Sequence, residues 1–587
     1  MTISGVQSQD WARGVRAAAA GAPDGLRPSG LAAPLGTRGL LAAARRWRPE
    51  LGAETVLVAA SLYFVLVCNG PFWRALLSGH SAGHTSAPAY ALAVWLALTA
   101  LQFVLLAVFA NRWTLKPLIG VLLVIAASSS YFSAQFGVYM DPSMLRNVLK
   151  TEVAEARELV SLVFIGHLAL VALPPLVLLQ RVRIRRRALP RALALRSGAI
   201  ALALLVAGGA LGAVFKDFAG QMRNHKELRY LVEPASAVYS LARVLSKDAH
   251  AANRPRTPIG ADARLGATWK AASKPALFVI VVGETARAAN WGLNPGASRD
   301  TTPELATRDV INFEQVSSCG TNTEVSVPCL FSLQGRGHYD EDAIRGSESL
   351  LHVLTHAGLR VVWSDNQSGC KGVCEGLESV RPNPAALPAL CDGERCLDEA
   401  LLESAQSVLR DARGNLVLVL HELGNHGPAY YKRYPAEFRH FTPTCDNEDL
   451  SACTREELAN AYDNALRYTD HVLASTIDWL KRMEKTHDTA LLYVSDHGES
   501  LGESGLFLHG MPYAIAPDEQ TRVPMLMWFS PAYAQRTRLD LACLRTQAHA
   551  PASHDNVFHS VLGLLDVKTA VRDDALDLSA TCKGRVA

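Results

Sequence analysis

Long apolar stretches dominate the first part of the chain, and short apolar runs separated by amphipathic segments fill the rest. Five stretches of roughly 20 residues carry few charges, and this is the length that a helix needs to cross a lipid bilayer. They cover residues 55–75, 88–110, 117–136, 159–179 and 197–215. The pattern therefore predicts an α-helical membrane domain with five transmembrane helices.

The same pattern divides the chain into four parts. Residues 1–50 are rich in Ala, Gly, Pro and Arg and lack an apolar run, which predicts a disordered cytoplasmic extension. Residues 51–216 hold the five spans, and within them residues 139–158 predict an amphipathic helix at the outer membrane face. Residues 217–274 predict a bridge helix followed by a linker, and residues 275–587 predict a soluble domain.

Positive charges orient the predicted spans. Arginine and lysine side chains precede the first span, lie between the second and third, and follow the fourth. They are Arg45, Arg46, Arg48, Arg112, Lys116 and the run at residues 181–187. Arginine and lysine residues next to membrane spans stay on the cytoplasmic side, which places the amino terminus in the cytoplasm. Five spans then place everything after residue 216 on the outer side of the membrane. Within the fourth span, His167 either lines a substrate path or faces another helix.

The cysteines support this orientation. Ten of the 11 cysteines follow residue 318, and eight of these lie close together in pairs. Their spacing favours local disulfides in an oxidising compartment over a zinc site with repeated C-x-x-C motifs. The pairs are Cys319 with Cys329, Cys370 with Cys374, Cys391 with Cys396, and Cys445 with Cys453. Cys543 and Cys582 either form a fifth bridge or do not, and the spacing leaves both open.

Beyond Lys274, short buried runs alternate with helical segments. Four runs rich in β-branched and aliphatic residues predict strands of a mostly parallel sheet that is covered on both faces. They lie at residues 276–283, 358–366, 415–424 and 489–498. Helical patterns at residues 397–413 and 455–483 complete an alternation that is typical of an α/β domain.

Polar residues follow three of these runs, where a parallel sheet places its functional groups. Glu284 follows the strand part of the first run at residues 276–282, and Asp496 with His497 follows residues 489–494 of the last run. His421 and His426 follow residues 415–420 of the third run. Carboxylates and imidazoles together suit a divalent cation such as zinc. For each residue alone, the alternative is a surface acid or a helix cap.

A run of hydroxyl residues between Cys319 and Cys329 provides candidate nucleophiles. A helix is predicted to begin there, and the free N–H groups of a helix amino terminus stabilise an alkoxide or a phosphate. The alternative is a threonine that caps a helix in a disulfide-closed loop.

Five segments resemble the lipid A phosphoethanolamine transferase family. They read VVGET, CGTNTEVSVPC, SDNQSGCKGVC, HELGNHGPAYYKRYP and SDHGESLGESGLFLHGMPY. The resemblance covers about residues 50–570 and implies five membrane helices before a periplasmic domain of the alkaline-phosphatase/sulfatase type. It further implies a multi-pass protein of the bacterial inner membrane, which transfers phosphoethanolamine from phosphatidylethanolamine to lipid A phosphates and confers polymyxin resistance.

The resemblance also implies roles for single residues. The implied ligands of one tightly bound zinc ion are Glu284, Thr323, Asp496 and His497. Thr323 is also the implied nucleophile, which carries phosphoethanolamine as a covalent intermediate. The implied catalytic histidines, which face the phosphate or a second and weaker metal, are His426 and His509. The implied substrate-binding residues are Lys371, Gln367 and His421, although some relatives carry Asn where this chain has Gln367.

Several alternatives remain open at this stage. The net charge of +3 is too small for a nucleic-acid-binding protein, and we expect a monomer. The acceptor is either lipid A or another group such as the lipopolysaccharide core. A phosphoglycerol transferase and a membrane-tethered sensor without turnover are competing functions. The run at residues 498–502 also matches the G-x-S-x-G motif of serine hydrolases, but that function leaves Glu284 and Thr323 unused.

Overall fold

A computed structural model describes residues 48–78, 85–251, 255–270, 272–393, 395–410 and 414–584. The predicted disordered extension lies outside the described residues, apart from its last three residues.

Helices, most of them apolar, fill the first part of the described chain. In chain order they are α1 (Ala53–Tyr63, continued by a π-helical turn at Phe64–Cys68), α2 (Gly70–Ser78), α3 (Ala87–Phe109), α4 (Leu115–Phe136), α5 (Pro142–Lys150), α6 (Val153–Glu158), α7 (Leu162–Val171), α8 (Leu173–Arg181) and α9 (Leu189–Ala213). Within the described residues, four spans are long and apolar enough to cross a membrane: α3, α4, α7 with α8, and α9. The pair α1 and α2, bent by 62°, makes up to five. Each predicted stretch falls on one of these five.

Local chemistry explains the two interrupted spans. Pro174 and Pro175 open α8, and because proline lacks an N–H the hydrogen-bond ladder from α7 breaks there. Between α1 and α2, the buried Asn69 side chain donates to the carbonyls of Phe64 and Glu233, both at 2.8 Å, and so satisfies the backbone at the bend. His167 lies 3.4 Å from Ser130 Oγ of α4, so it faces another helix.

Two helices follow the last span, where the sequence predicts one bridge helix. They are α10 (Phe215–Asn224) and α11 (Ala235–Ala251), joined by a 3₁₀ turn at Lys226–Leu231.

Among the described residues, eight strands form the central sheet of the soluble domain. They are β1 (Ala276–Gly283), β2 (Ile311–Ser317), β3 (Arg360–Asp365), β4 (Glu378–Val380), β5 (Leu416–His421), β6 (Asp488–Ser495), β7 (Arg522–Phe529) and β8 (Ala552–Ser553). Their order is β8-β2-β7-β6-β1-β5-β3-β4, and β7 runs antiparallel to both of its neighbours. The other neighbours are parallel, which confirms the predicted mostly parallel sheet.

Helices cover both faces of this sheet. They are α12 (Thr323–Leu330), α13 (Glu341–Gly346), α14 (Leu350–His356), α15 (Glu399–Arg410), α16 (Arg455–Met483), α17 (Asp518–Thr521), α18 (Pro531–Thr537), α19 (Leu541–Gln547) and α20 (Asp555–Leu564). Two-residue strand pairs add Glu50–Leu51 with Arg183–Ile184, Arg264–Leu265 with Val567–Lys568, and Ser500–Leu501 with Phe507–Leu508. Alternate residues of β1 enter different apolar clusters, as a strand buried on both faces requires.

Strand register brings the polar residues to one edge of the sheet. Val282 of β1 pairs with His421 of β5, and Gly283 pairs with Ser495 of β6. His421 in turn pairs with Asp365 of β3. The residues that follow these strand ends therefore meet at one edge.

The membrane helices and the soluble domain share an apolar cluster. Phe136 of α4, Met140 in the following loop and Met144 of α5 are buried in the same cluster as Tyr430 and Leu501 of the soluble domain.

Ion pairs reinforce this contact. The guanidinium of Arg146, whose side chain is 4% exposed, contacts Glu341 of α13 and lies 2.7 Å from Asp248 of α11. Lys247 of α11 lies 2.9 Å from Glu341. Three helices from different parts of the chain thus meet at one buried cation.

Replacing Arg146 by Met should destabilise the full chain by about 2 kcal/mol, because it removes charged hydrogen bonds from a buried group. Thermal unfolding in detergent should show a midpoint lower by several degrees. Arg439→Met is the matched control, since Arg439 and Asp446 are 40% and 46% exposed and such a pair contributes little. Equal shifts for the two variants would contradict a structural role for Arg146.

Candidate metal and nucleophile site

Thr323 is the first residue of α12, and its position is fixed from two sides. The Asn322 side chain caps the helix by accepting the Val325 N–H at 3.1 Å. The disulfide between Cys319 and Cys329 closes the loop around it. The hydroxyl of Thr323 therefore sits at a helix amino terminus, where N–H groups favour negative charge.

The other predicted cysteine pairs are also disulfide-bonded. Within the described chain, Cys370 bonds to Cys374, Cys391 to Cys396, Cys445 to Cys453, and Cys543 to Cys582. The last bond resolves the pairing that the sequence left open.

Two buried carboxylates and one imidazole lie beside the Thr323 hydroxyl. Thr323 Oγ1 is 3.1 Å from both carboxylate oxygens of Glu284 and 3.4 Å from His497 Nε2. His497 Nε2 lies 3.2 Å from Glu284 Oε1 and 3.3 Å from Asp496 Oδ2. One ligand atom from each of Glu284, Asp496 and His497 lies within 4.8 Å of the others.

This arrangement concentrates negative charge in a buried place. Burial opposes the ionisation of Glu284, but the hydrogen bond and charge of His497 outweigh it and lower the pKa of Glu284. Burial, and then the charge of Glu284, raises the pKa of Asp496. Burial opposes protonation of His497, yet Asp496 and Glu284 raise its pKa to about 10. A cation relieves the repulsion between the two acids.

The donor set fits zinc. Asp496 Oδ1 accepts the backbone N–H groups of Thr285 and His497, while Oδ2 is buried and accepts no hydrogen bond from any described residue. A carboxylate oxygen that accepts no hydrogen bond, next to a second carboxylate and an imidazole, is part of an N and O ligand set that Zn²⁺ accepts.

The predicted substrate-binding residues occupy two positions. Gln367 Nε2 donates to Glu284 Oε2 at 2.9 Å, so Gln367 orients a candidate ligand. Lys371 Nζ lies 3.2 Å from Glu324, the residue after Thr323. Their roles toward substrate stay predictions.

Two further histidines lie close to His497. The ring of His509 is 4.4 Å from the ring of His497 and 5.5 Å from that of His426, measured between centroids. His509 Nδ1 lies 2.7 Å from Glu499 Oε2. The carboxylate therefore fixes the imidazole orientation, and burial lowers the pKa of His509.

His426 contacts a residue from the membrane-proximal part of the chain. Its Nε2 lies 3.1 Å from Oε1 of Glu155 in α6. Burial opposes protonation of His426, but the Glu155 carboxylate raises its pKa. Glu158 of the same helix pairs with Arg433 at 2.6 Å and anchors α6 against the soluble domain.

His421 is fully buried and points one nitrogen at Asp365 Oδ1, 2.8 Å away. Its other nitrogen, Nε2, is buried without a hydrogen-bond partner among the described residues. His421 is thus oriented by Asp365, and its role also stays a prediction.

A cavity of about 260 Å³ lies beside these groups. Its walls include Glu155 of α6, Gln367, Ser368 and His426. The cavity is therefore bounded by both the membrane-proximal helix and the soluble domain, and it is large enough for a small head group.

Sequence reasoning missed Glu155 and Glu499. Glu499 lies two residues after the predicted ligand His497 in the run SDHGESLGE, so its position in the sequence could have identified it as a site residue. Glu155 lies more than 100 residues from the other site residues, and its contact arises only because α6 folds onto the soluble domain.

The serine hydrolase alternative does not fit the geometry. Ser500, the serine of the G-x-S-x-G run, is fully buried in a two-residue strand and accepts a hydrogen bond from Gln520 at 2.9 Å. A nucleophile elbow instead exposes its serine at a strand-to-helix turn.

Known proteins match both the membrane part and the soluble part of the chain. The Sulfatase family matches residues 276–567, and the family described as phosphoethanolamine transferase EptA/EptB matches residues 98–249. The chain is 35% identical to phosphoethanolamine transferase EptA of Escherichia coli K12, over 91% of this chain and 98% of that protein. It is 37% identical to phosphatidylethanolamine transferase Mcr-1 of Escherichia coli, over 78% of this chain and 84% of that protein.

A solved structure extends the likeness to the whole architecture. The integral membrane protein lipooligosaccharide phosphoethanolamine transferase A (EptA) from Neisseria meningitidis matches with a TM-score of 0.85 and 37% identity. The match covers 91% of this chain and 100% of that structure. It spans the membrane helices and the soluble domain together, which confirms the predicted fold class. The chain belongs to the EptA family of phosphoethanolamine transferases.

Proposed function

We propose that the chain transfers phosphoethanolamine from phosphatidylethanolamine to phosphate groups of lipid A, through a covalent intermediate on Thr323. The observation that carries the proposal is the Thr323 hydroxyl, placed at a helix amino terminus 3.1 Å from both oxygens of Glu284. The description of Mcr-1 as a phosphatidylethanolamine transferase supports the donor. The description of the Neisseria meningitidis protein as a lipooligosaccharide phosphoethanolamine transferase supports the class of acceptor.

In the first half-reaction, the Thr323 oxygen attacks the phosphorus of phosphatidylethanolamine. A bond from Thr323 Oγ1 to phosphorus forms, and the bond from phosphorus to the glycerol oxygen breaks. The leaving oxygen takes a proton, so diacylglycerol departs. The buried His426 and the largely buried His509 are the residues to which we assign the supply of that proton or the stabilisation of charge on the phosphate oxygens, because their rings lie 5.5 Å apart and the ring of His509 lies 4.4 Å from that of His497.

A zinc ion held by Glu284, Asp496, His497 and Thr323 would lower the pKa of the Thr323 hydroxyl, so that the alkoxide forms near neutral pH. Gln367 holds the Glu284 carboxylate in place through its 2.9 Å hydrogen bond. Glu155 is acidic and faces the cavity beside His426, so it suits the ammonium group of the donor.

In the second half-reaction, a phosphate oxygen of the acceptor attacks the phosphorus on Thr323. The bond from phosphorus to Thr323 breaks, and the product carries phosphoethanolamine on its own phosphate. The mechanism is therefore ping-pong. Masking lipid A phosphates reduces their attraction for cationic peptides, which supports polymyxin resistance as the consequence.

The protein sits in the bacterial inner membrane, with its catalytic domain in the periplasm. Disulfides in the soluble domain and the distribution of positive charges both support this placement. We propose a membrane domain over residues 51–216, a bridge over residues 217–274 and a catalytic domain over residues 275–587, acting as a monomer.

The zinc site predicts a defined metal content. The purified full chain should contain one tightly bound zinc ion, and Glu284→Gln should weaken zinc binding about tenfold or more because it removes a charged ligand. Glu422→Gln is the matched control. Glu422 is also buried at a strand end, but burial raises its pKa well above the usual range, so an amide resembles the acid it replaces. Metal analysis that finds equal zinc in both variants would contradict the ligand set.

The nucleophile predicts a covalent adduct. Intact-protein mass spectrometry of the chain incubated with phosphatidylethanolamine should show phosphoethanolamine on Thr323. Thr323→Ala should show no adduct, and its turnover should fall by a factor on the order of 10³ or more, whereas Thr323→Ser should keep the adduct. Thr321→Ala is the control, since Thr321 bonds the Met511 carbonyl instead. An adduct that survives in Thr323→Ala would move the nucleophile elsewhere.

Donor and acceptor can be tested with labelled lipids. Label from phosphatidylethanolamine should reach lipid A, and label from phosphatidylglycerol should not, because Glu155 matches an ammonium group that glycerol lacks. Lipid A mass spectrometry from a sensitive host with and without the gene checks the acceptor. Transfer from phosphatidylglycerol, or unmodified lipid A, would favour the phosphoglycerol transferase or another acceptor.

A further inference from the structure

A second, larger cavity of about 1190 Å³ adjoins the site. Five parts of the chain line it: α5, α11, the linker at residues 255–257, α12 with α13, and the loop at residues 368–375. Ser368 lines this cavity and also the 260 Å³ cavity beside His426. The two cavities therefore share a wall.

Residues that line the large cavity adjoin those that surround the nucleophile in the chain. Gln367, which contacts Glu284, directly precedes Ser368. Glu324, which directly follows Thr323, lines the large cavity and lies 3.2 Å from Lys371 Nζ. A group docked in the large cavity therefore lies next to the residues that frame the attacking oxygen.

The large cavity is lined by basic side chains from every one of these segments. They are Arg146, Lys150, Lys247, Arg256, Arg345 and Lys371. Acidic residues also line it, and acids that are at most 24% exposed hold Arg146, Lys247, Arg345 and Lys371. Arg256 differs from these, because its partner Glu375 is 72% exposed. Pairs with exposed acids contribute about 0–1 kcal/mol, so a phosphate can replace the acid.

Lys150 is the least constrained of these cations. It ends α5, its side chain is exposed, and it has no ion-pair partner among the residues described. Because α5 follows the span α4 closely in the chain, this side of the cavity lies next to the end of that span.

We propose that the large cavity binds the acceptor, by its phosphorylated sugar head group. The proposal rests on the proposed function and adds a location for the second substrate. The difference in volume between the two cavities supports this location. Phosphoethanolamine is small and matches the 260 Å³ cavity, whereas a phosphorylated disaccharide needs the volume of the larger cavity. The acceptor phosphate oxygen then attacks the phosphorus on Thr323, the bond to Thr323 Oγ1 breaks, and a phosphorus–oxygen–phosphorus linkage forms.

The two half-reactions separate this role from donor binding. The full chain in phosphatidylethanolamine-containing micelles is first loaded with the Thr323 adduct, and purified lipid A is then added while mass spectrometry follows the loss of adduct. Lys150→Glu and, separately, Arg256→Gln should load at the wild-type rate within twofold but lose the adduct to lipid A at least tenfold more slowly. Lys485→Glu is the matched control. Lys485 is an exposed lysine just before the amino end of β6, whereas the site lies at the carboxyl ends of the strands, so this variant should behave as wild type in both steps.

Soluble probes identify the recognised chemistry. Glucosamine 1-phosphate should accelerate adduct loss from the wild type in a saturable way and should do so weakly in Lys150→Glu, whereas inorganic phosphate should act equally on both. Wild-type rates of adduct loss in both cavity variants, or loading that slows as much as loss, would overturn the acceptor site. A wild-type chain that forms no adduct would instead overturn the proposed function itself.

Discussion

Repulsion between two buried carboxylates is the constraint on which this site depends. Glu284 is 1% exposed and Asp496 is fully buried, and both lie within reach of the same imidazole. The pairing of Gly283 with Ser495 in neighbouring parallel strands holds the two acids together, so they cannot move apart to reduce their repulsion. The fold therefore maintains a place that favours positive charge, and the threonine hydroxyl lies beside it.

Sequence patterns predicted most of this arrangement. Strands with near-continuous aliphatic residues could be predicted from the sequence, and so could the site residues that follow them, because both depend on local sequence patterns. Strands β2, β4, β7 and β8 were not predicted. In β7, Pro524 interrupts the apolar pattern. Proline cannot donate to the ladder, and the register with β2 shifts between Val523 and Met525.

Contacts between distant segments could not be predicted in this way. The approach of Glu155 to His426 depends on the packing of α6 against Arg433, and no periodicity in either segment encodes it. The bend between α1 and α2 likewise depends on Asn69 meeting Glu233, a residue 164 positions away. Disulfide pairing between Cys543 and Cys582, 39 residues apart, belongs to the same class. Such contacts follow from tertiary structure rather than local propensity.

The apolar cluster shared by Phe136, Met144 and Tyr430 makes the membrane helices part of the catalytic domain's own interior. Excising residues 275–587 would expose those apolar side chains to water and would remove the helix that carries Glu155 from the edge of the cavity. A compound screen run on the excised domain would select molecules that fit a site with one wall missing. Inhibitors that exploit the true shape of the site must be sought with the intact chain in a lipid-like environment.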